Sequence, residues 1–404
     1  MSLNRMIAAV CGLLLYAVPA RAAELVVWHA YRAEEKAALE AVVAAYNQAH
    51  AKADVKVTTL AVPFDALADK ISAAVPRGKG ADVFIYAQDR LGGWIESGNV
   101  IEPLDFYLEK GLQDAYLPLT WEAMTYRGNV YGLPFNYKVL ALIYNKKLVA
   151  TPPKTSGQLV ATAKKLTDKA TGRFGLAYSY GDFYYHAALM NAFGGRAFDP
   201  GPTPALNAPE NLKAFDLLLK WIYADQILPA EPSSALVNAL FNEGKAAMVF
   251  SGPWFLGEIA KDVSWGIAPL PTVDEAGGKP LRPWATVEGA YIAAPCKNKE
   301  AAYEFIKYLT GPEAAKIMAV RGRQSPASKA AYAAPEVGND PVLKVFRQQI
   351  EVSVPMPNIP EMSMMWTPAT TALGAIIKRS VTPKEAMDTA QKALAKDVAN
   401  LRKK

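Results

Sequence analysis

Residues 24–28, ELVVW, then 33–49, AEEKAALEAVVAAYNQA, then 55–60, VKVTTL, and finally 81–86, ADVFIY, decide the fold. The first run is apolar and rich in valine and reads as a buried strand, whereas Leu39, Val42, Val43 and Tyr46 in the second recur at helical spacing. The third and fourth runs read as strands again. Leu67, Ile71 and Val75 place a helix between them, and a short helix follows over Arg90 to Ser97. Such a β-α-β-α-β unit predicts an open α/β sheet, in which ligands bind beyond the carboxyl ends of the strands. Trp28, His29, Ala30 and Tyr31 fall there after the first strand, and Tyr86 to Arg90 after the third.

Outward from this unit the alternation resumes, with a helix over Asn211 to Tyr223, a strand over Ala247 to Ser251, a helix over Trp254 to Lys261 and a strand over Trp265 to Leu270. One chain therefore builds two α/β lobes. Helices over Lys299 to Leu309, Pro312 to Val320 and Pro383 to Leu401 follow, the last two opening with a proline suited to a first helical position. Asp199 to Pro204 and Asp274 to Pro283 read as surface loops. A length of 404 residues leaves ample surface to bury without a disulfide or metal staple. Ahead of the fold, Arg5, the apolar run Met6 to Val18 and the small-x-small pattern Ala20-Arg21-Ala22 predict a signal peptide, residues 1–22, with cleavage after Ala22.

The charge balance, 44 basic against 38 acidic residues, gives +6, and the basic residues are scattered. Binding to nucleic acid needs clustered positive charge, so we expect none. Cys11 lies within the apolar run rather than at its end, against a lipoprotein, and Cys296 is then the one mature thiol. It reads as buried apolar filler. The motifs of zinc proteases, nucleotide-binding loops and serine hydrolases are absent, and His29, His50 and His186 are widely separated. We expect no metal and no cofactor.

Aromatics are plentiful, with 8 Trp, 19 Tyr and 14 Phe. Several stand beside Gly or Pro and read as loop residues: Gly252-Pro253-Trp254, Tyr184-Tyr185 and Met365-Trp366-Thr367-Pro368. Sugars offer an apolar C–H face to a ring and a rim of hydroxyls to charged groups, and Asp89-Arg90 close behind Tyr86 has that pairing. The combination suits a neutral polyol better than an ion.

Five segments in order carry a resemblance to a known family: Glu24 to Trp28, Ala81 to Gly93 (ADVFIYAQDRLGG), Leu133 to Lys146 (LPFNYKVLALIYNK), Phe241 to Trp254 (FNEGKAAMVFSGPW) and Met356 to Trp366 (MPNIPEMSMMW). On these the chain resembles the periplasmic maltose/maltodextrin-binding proteins, the extracellular receptors of ABC sugar importers. The resemblance implies a type II binding-protein fold of two α/β lobes around a ligand cleft, joined by crossover segments. It implies a first lobe of 23–136 plus 288–337 and a second of 137–287 plus 338–404. It further implies an oligosaccharide ligand of the maltodextrin type, membrane permease subunits as partners, a periplasmic location and no catalysis. A monomer is the default, since lobe closure must stay unobstructed.

Carried over by position, Tyr86 falls where the family places a stacking aromatic, and Asp89 and Arg90 match its sugar-hydroxyl pair. Trp254 and Trp366 match its two stacking tryptophans, Tyr184 its cleft tyrosine, and Asp182 stands where it has a glutamate. Tyr31 and Arg32, after the first strand, complete the candidate ligand contacts with Lys138. Three positions depart from the pattern. Lys138 replaces an acidic residue, Arg32 lies close to where another would stand, and Thr370 replaces an arginine. The positive charges leave a trehalose-like disaccharide, a plant-derived oligosaccharide or a sugar phosphate open as alternatives, and predict that Asp182 pairs with Lys138 or Arg32. A secreted glycoside hydrolase would need two cleft carboxyl groups, for which Asp89 and Asp182 are the candidates.

Overall fold

The computed structural model describes residues 23–51, 55–200, 202–230 and 233–403; the expected signal peptide lies outside them. The larger sheet begins as the sequence predicts, with β1 (Ala23–His29), α1 (Ala33–Ala49), β2 (Val55–Ala61), α2 (Phe64–Ala74), β3 (Val83–Ala87) and α3 (Leu91–Ser97). β1 pairs in parallel with both β2 and β3, His29 standing opposite Ala61 and Trp28 opposite Phe84. The carboxyl ends of the three strands therefore share one edge.

The chain then adds β4 (Leu133–Lys138) to this sheet and passes directly into β5 (Ala141–Asn145) of a second one. β6 (Phe174–Ala177), β7 (Ala246–Ser251) and β8 (Trp265–Ala268) complete the second sheet in the order β8-β5-β7-β6. It returns through the long β9 (Trp284–Ile292), buried along its whole length and antiparallel to β3 and β4. Two short strands, β10 (Ser325–Pro326) beside β4 and β11 (Val354–Pro355) beside β9, finish the larger sheet. The two sheets give two α/β lobes, as expected.

Alternation along β5 shows why two cores form. Ala141 and Ile143 face one cluster, and Leu142 on the opposite face joins another with Leu176, Phe183, Trp221 and Met365. Gln88, fully buried behind β3, ties the crossing strands together: its Nε2 donates to Ala285 O at 3.2 Å and Met356 O at 3.1 Å, and its Oε1 accepts from Val287 N at 2.8 Å. The backbones of α3 and the segment after β11 approach so closely that an alanine Cβ at Gly92 would lie 2.6 Å from Asn358 O. No larger residue fits there.

Three local expectations are corrected. The helix expected from Trp254 to Lys261 is only Pro253–Leu256, ended by Gly257, and the strand expected to Leu270 stops at Ala268. Tyr184, Tyr185, Trp254 and Trp366 are on helices and not in loops: α4 spans Phe183–Ala192, the short α5 spans Pro253–Leu256, and α6 spans Pro360–Ile377 with Pro368 inside it. Pro368 forfeits one backbone bond, but the buried face formed by Met362, Met365, Ala369, Ala372 and Leu373 holds the helix through that point. Cys296 is buried and free, and burial raises its thiol to about 11, as suits packing rather than chemistry. Among the described residues, no helix is long and apolar enough to cross a membrane.

Candidate functional site

The turn after β3 delivers Asp89 and Arg90 to the shared carboxyl edge. Asp89 is 6% exposed and accepts a hydrogen bond from Trp366 Nε1 at 3.1 Å, so a side chain of α6 reaches across to the first lobe. Burial raises the Asp89 carboxyl, against the opposing pull of the Arg90 charge and the Trp366 bond. Arg90 Nε lies 3.4 Å from Asp89 Oδ2 without the alignment of a hydrogen bond, and is a buried donor with no acceptor. A buried donor left unpaired is costly.

Opposite stand the rings. Trp366 meets Trp284 edge-on at 5.6 Å and 85°, and Tyr184 lies 6.1 Å from Trp254 and 6.5 Å from Trp284. Tyr184, Trp254 and Trp366 are each half-buried. Trp254 packs against both cores, and its fold-back depends on Gly252, where a Cβ would lie 2.2 Å from the ring. Asp182 caps α4, accepting from Tyr184 N at 2.9 Å, and its solvent-reached carboxyl is raised because protein surrounds it. Thr370 is exposed, one turn beyond Trp366.

The expected charge exchange with Asp182 is not what the structure shows. Lys138 Nζ lies 3.2 Å from Glu35 and 3.1 Å from Glu288, both buried, while Arg32 Nε pairs with Glu258 at 2.6 Å. Burial works against the Lys138 ammonium, but the two carboxylates outweigh it and hold its pKa above the ordinary lysine value. Tyr31 belongs to the same knot: its hydroxyl donates to Glu288 Oε2 at 2.6 Å and accepts from Asn136 Nδ2 at 3.1 Å. Both Tyr31 and Lys138 are thus engaged within the protein.

Sequence reasoning missed Glu35, Glu288, Glu258 and Trp284. Each acts through a partner far along the chain, so no local pattern marks it. It also passed over Phe64, whose ring stacks on Tyr86 at 5.2 Å and 7°. Among the described residues, no group of three or more His, Cys, Asp or Glu side chains is placed to hold a metal ion.

Taken as a whole, the arrangement sets aromatic side chains beside one buried carboxylate and its neighbouring, partly exposed guanidinium, groups of the kind that grip a polyol. Residues 29–316 match the family of bacterial extracellular solute-binding proteins. Among relatives, a maltotriose-binding protein of Pyrococcus abyssi is 34% identical over 77% of this chain and 69% of its own length. A galactooligosaccharide-binding protein of Bacillus subtilis is 29% identical over 92% of this chain and 88% of its own. Among solved structures, the maltose/maltodextrin-binding domain from Bdellovibrio bacteriovorus bound to maltotriose superposes with a TM-score of 0.85 at 27% identity, covering 93% of this chain and all (100%) of that one.

Proposed function

This chain belongs to the bacterial extracellular solute-binding protein family, and on that premise we propose that it captures maltose- and maltodextrin-type oligosaccharides in its cleft and delivers them to the membrane subunits of an ABC importer. The observation that carries the reading is the cluster of partly exposed rings, Tyr184, Trp254 and Trp366, linked through Trp284, from which Trp366 reaches Asp89 beside Arg90. The rings supply apolar burial while the buried polar pair fixes hydroxyl positions. Ligand contact with both lobes favours the closed form, and the permease reads that shape. We place Asp89, Arg90, Asp182, Tyr184, Trp254 and Trp366 in the ligand-binding role, and Tyr31, Arg32, Tyr86 and Lys138 in support of it.

A neutral sugar is favoured over a sugar phosphate because one ammonium, Lys138, is set against two carboxyl groups, Glu35 and Glu288, which leaves no free positive charge there for an anion. A hydrolytic role is disfavoured because Asp89, one of the two candidate carboxyl groups, is already bound by Trp366 and flanked by Arg90. The galactooligosaccharide-binding relative makes a galactoside the second reading. Calorimetric titration with maltose, maltotriose, trehalose, a galactotriose and glucose 6-phosphate at two salt concentrations tests this. We expect maltotriose binding that is nearly indifferent to salt; binding of glucose 6-phosphate alone, weakening steeply with salt, would overturn it.

A further inference from the structure

Tyr86, the ring expected to meet ligand in the first lobe, is only 5% exposed, whereas Phe64 lying parallel over it is 55% exposed. One face of Phe64 is covered by Tyr86 and the other is open. An exposed apolar side chain alone means little, so its position decides. Phe64 opens α2, just beyond the carboxyl end of β2, where Ala61 pairs with His29; this is the edge that carries Tyr86, Asp89 and Arg90. Its neighbour Asp65 is near enough to Tyr86 and to Asp182 of the opposite lobe to act electrostatically on both. Phe106 makes the contrast: it is 92% exposed, but its loop is tied through Glu102 N to Ile292 O, which lies beside Val83 at the amino end of β3, away from the site.

Resting on the oligosaccharide reading, we infer that Phe64 is the ring of the first lobe that stacks on a glucosyl unit, with Tyr86 as the rigid layer beneath it. The sugar is thereby held between Phe64 on one side and the Trp254 and Trp366 rings on the other. Titration of maltotriose into the wild-type protein and into F64A, F64W and F106A tests this, with melting curves to confirm that each variant is folded. We expect F64A to bind about tenfold or more weakly, F64W to stay within about threefold of wild type, and F106A to be unchanged. F64A binding as tightly as wild type would overturn the assignment and leave the oligosaccharide reading intact. Wild-type protein that binds no maltotriose would overturn both.

Discussion

The two walls of the cleft solve the same problem in different ways. In the wall built on the larger sheet one polar cluster is engaged within itself: Lys138 with Glu35 and Glu288, Glu288 with Tyr31, Tyr31 with Asn136. In the second lobe Trp254, Trp366 and Tyr184 pack among rings and the core, Trp366 also donating to Asp89, and each residue remains partly exposed. A buried ion cluster fixes the geometry of the strand that crosses between lobes, and has little left to give a ligand. Rings need no partner to be stable at a surface, so they are available. Charge in a cleft is therefore no guide to what the cleft binds until its partners are known.

The strongest way to break this comparison is K138M. It leaves Glu35 and Glu288 facing each other in a buried site, and we expect a loss of about 3–5 kcal/mol of stability by denaturant unfolding. A variant that instead keeps its stability and loses affinity would place Lys138 on the ligand. W254A tests the other wall. Affinity for maltotriose should fall about tenfold to a hundredfold, the equivalent of removing one large buried ring, with the ion cluster untouched.

A finer test uses the buried histidine in each lobe. Burial, with the Lys36 charge, lowers His29 to about 4, and burial lowers His186 to about 3. Both stay neutral in the fold, while the unfolded chain takes up protons below about pH 6.5, so stability falls as pH drops from there toward the folded values. Asp89 and Glu288, with raised carboxyls, act in the opposite sense, which makes a single variant the cleaner readout. His186 stacks on Phe215 at 4.2 Å, and H186F should remove up to about 1.4 kcal/mol per pH unit of that slope below pH 6, seen as flatter acid unfolding. The smallest effect belongs to the exposed pair joining the lobes. E258Q frees Arg32 and should change maltotriose affinity by less than about 1 kcal/mol, a difference that high salt erases.

Much of the fold was legible because its signals are local. The limits of α1 follow from apolar spacing, and the parallel start of the larger sheet from alternating strands and helices. β9 was not legible: buried on both faces, it shows no alternation, and Glu288 in its middle reads as a polar break until Lys138 is seen beside it. Trp366 and Tyr184 read as loop residues because Pro and Gly stand nearby, whereas tertiary packing maintains helices there. The pairing expected of Asp182 failed on the same ground. Which carboxylate meets a lysine is settled by chain crossings that no local pattern encodes.

The most direct test of this division between the walls is a crystal structure of the protein with maltotriose. The account predicts glucosyl faces against Trp254 and Trp366, hydroxyls on Asp89 and Arg90, and Lys138 still held by Glu35 and Glu288 without touching sugar. A ligand gripped by a Lys138 that has left its carboxylates, with the tryptophan rings bare, would contradict it.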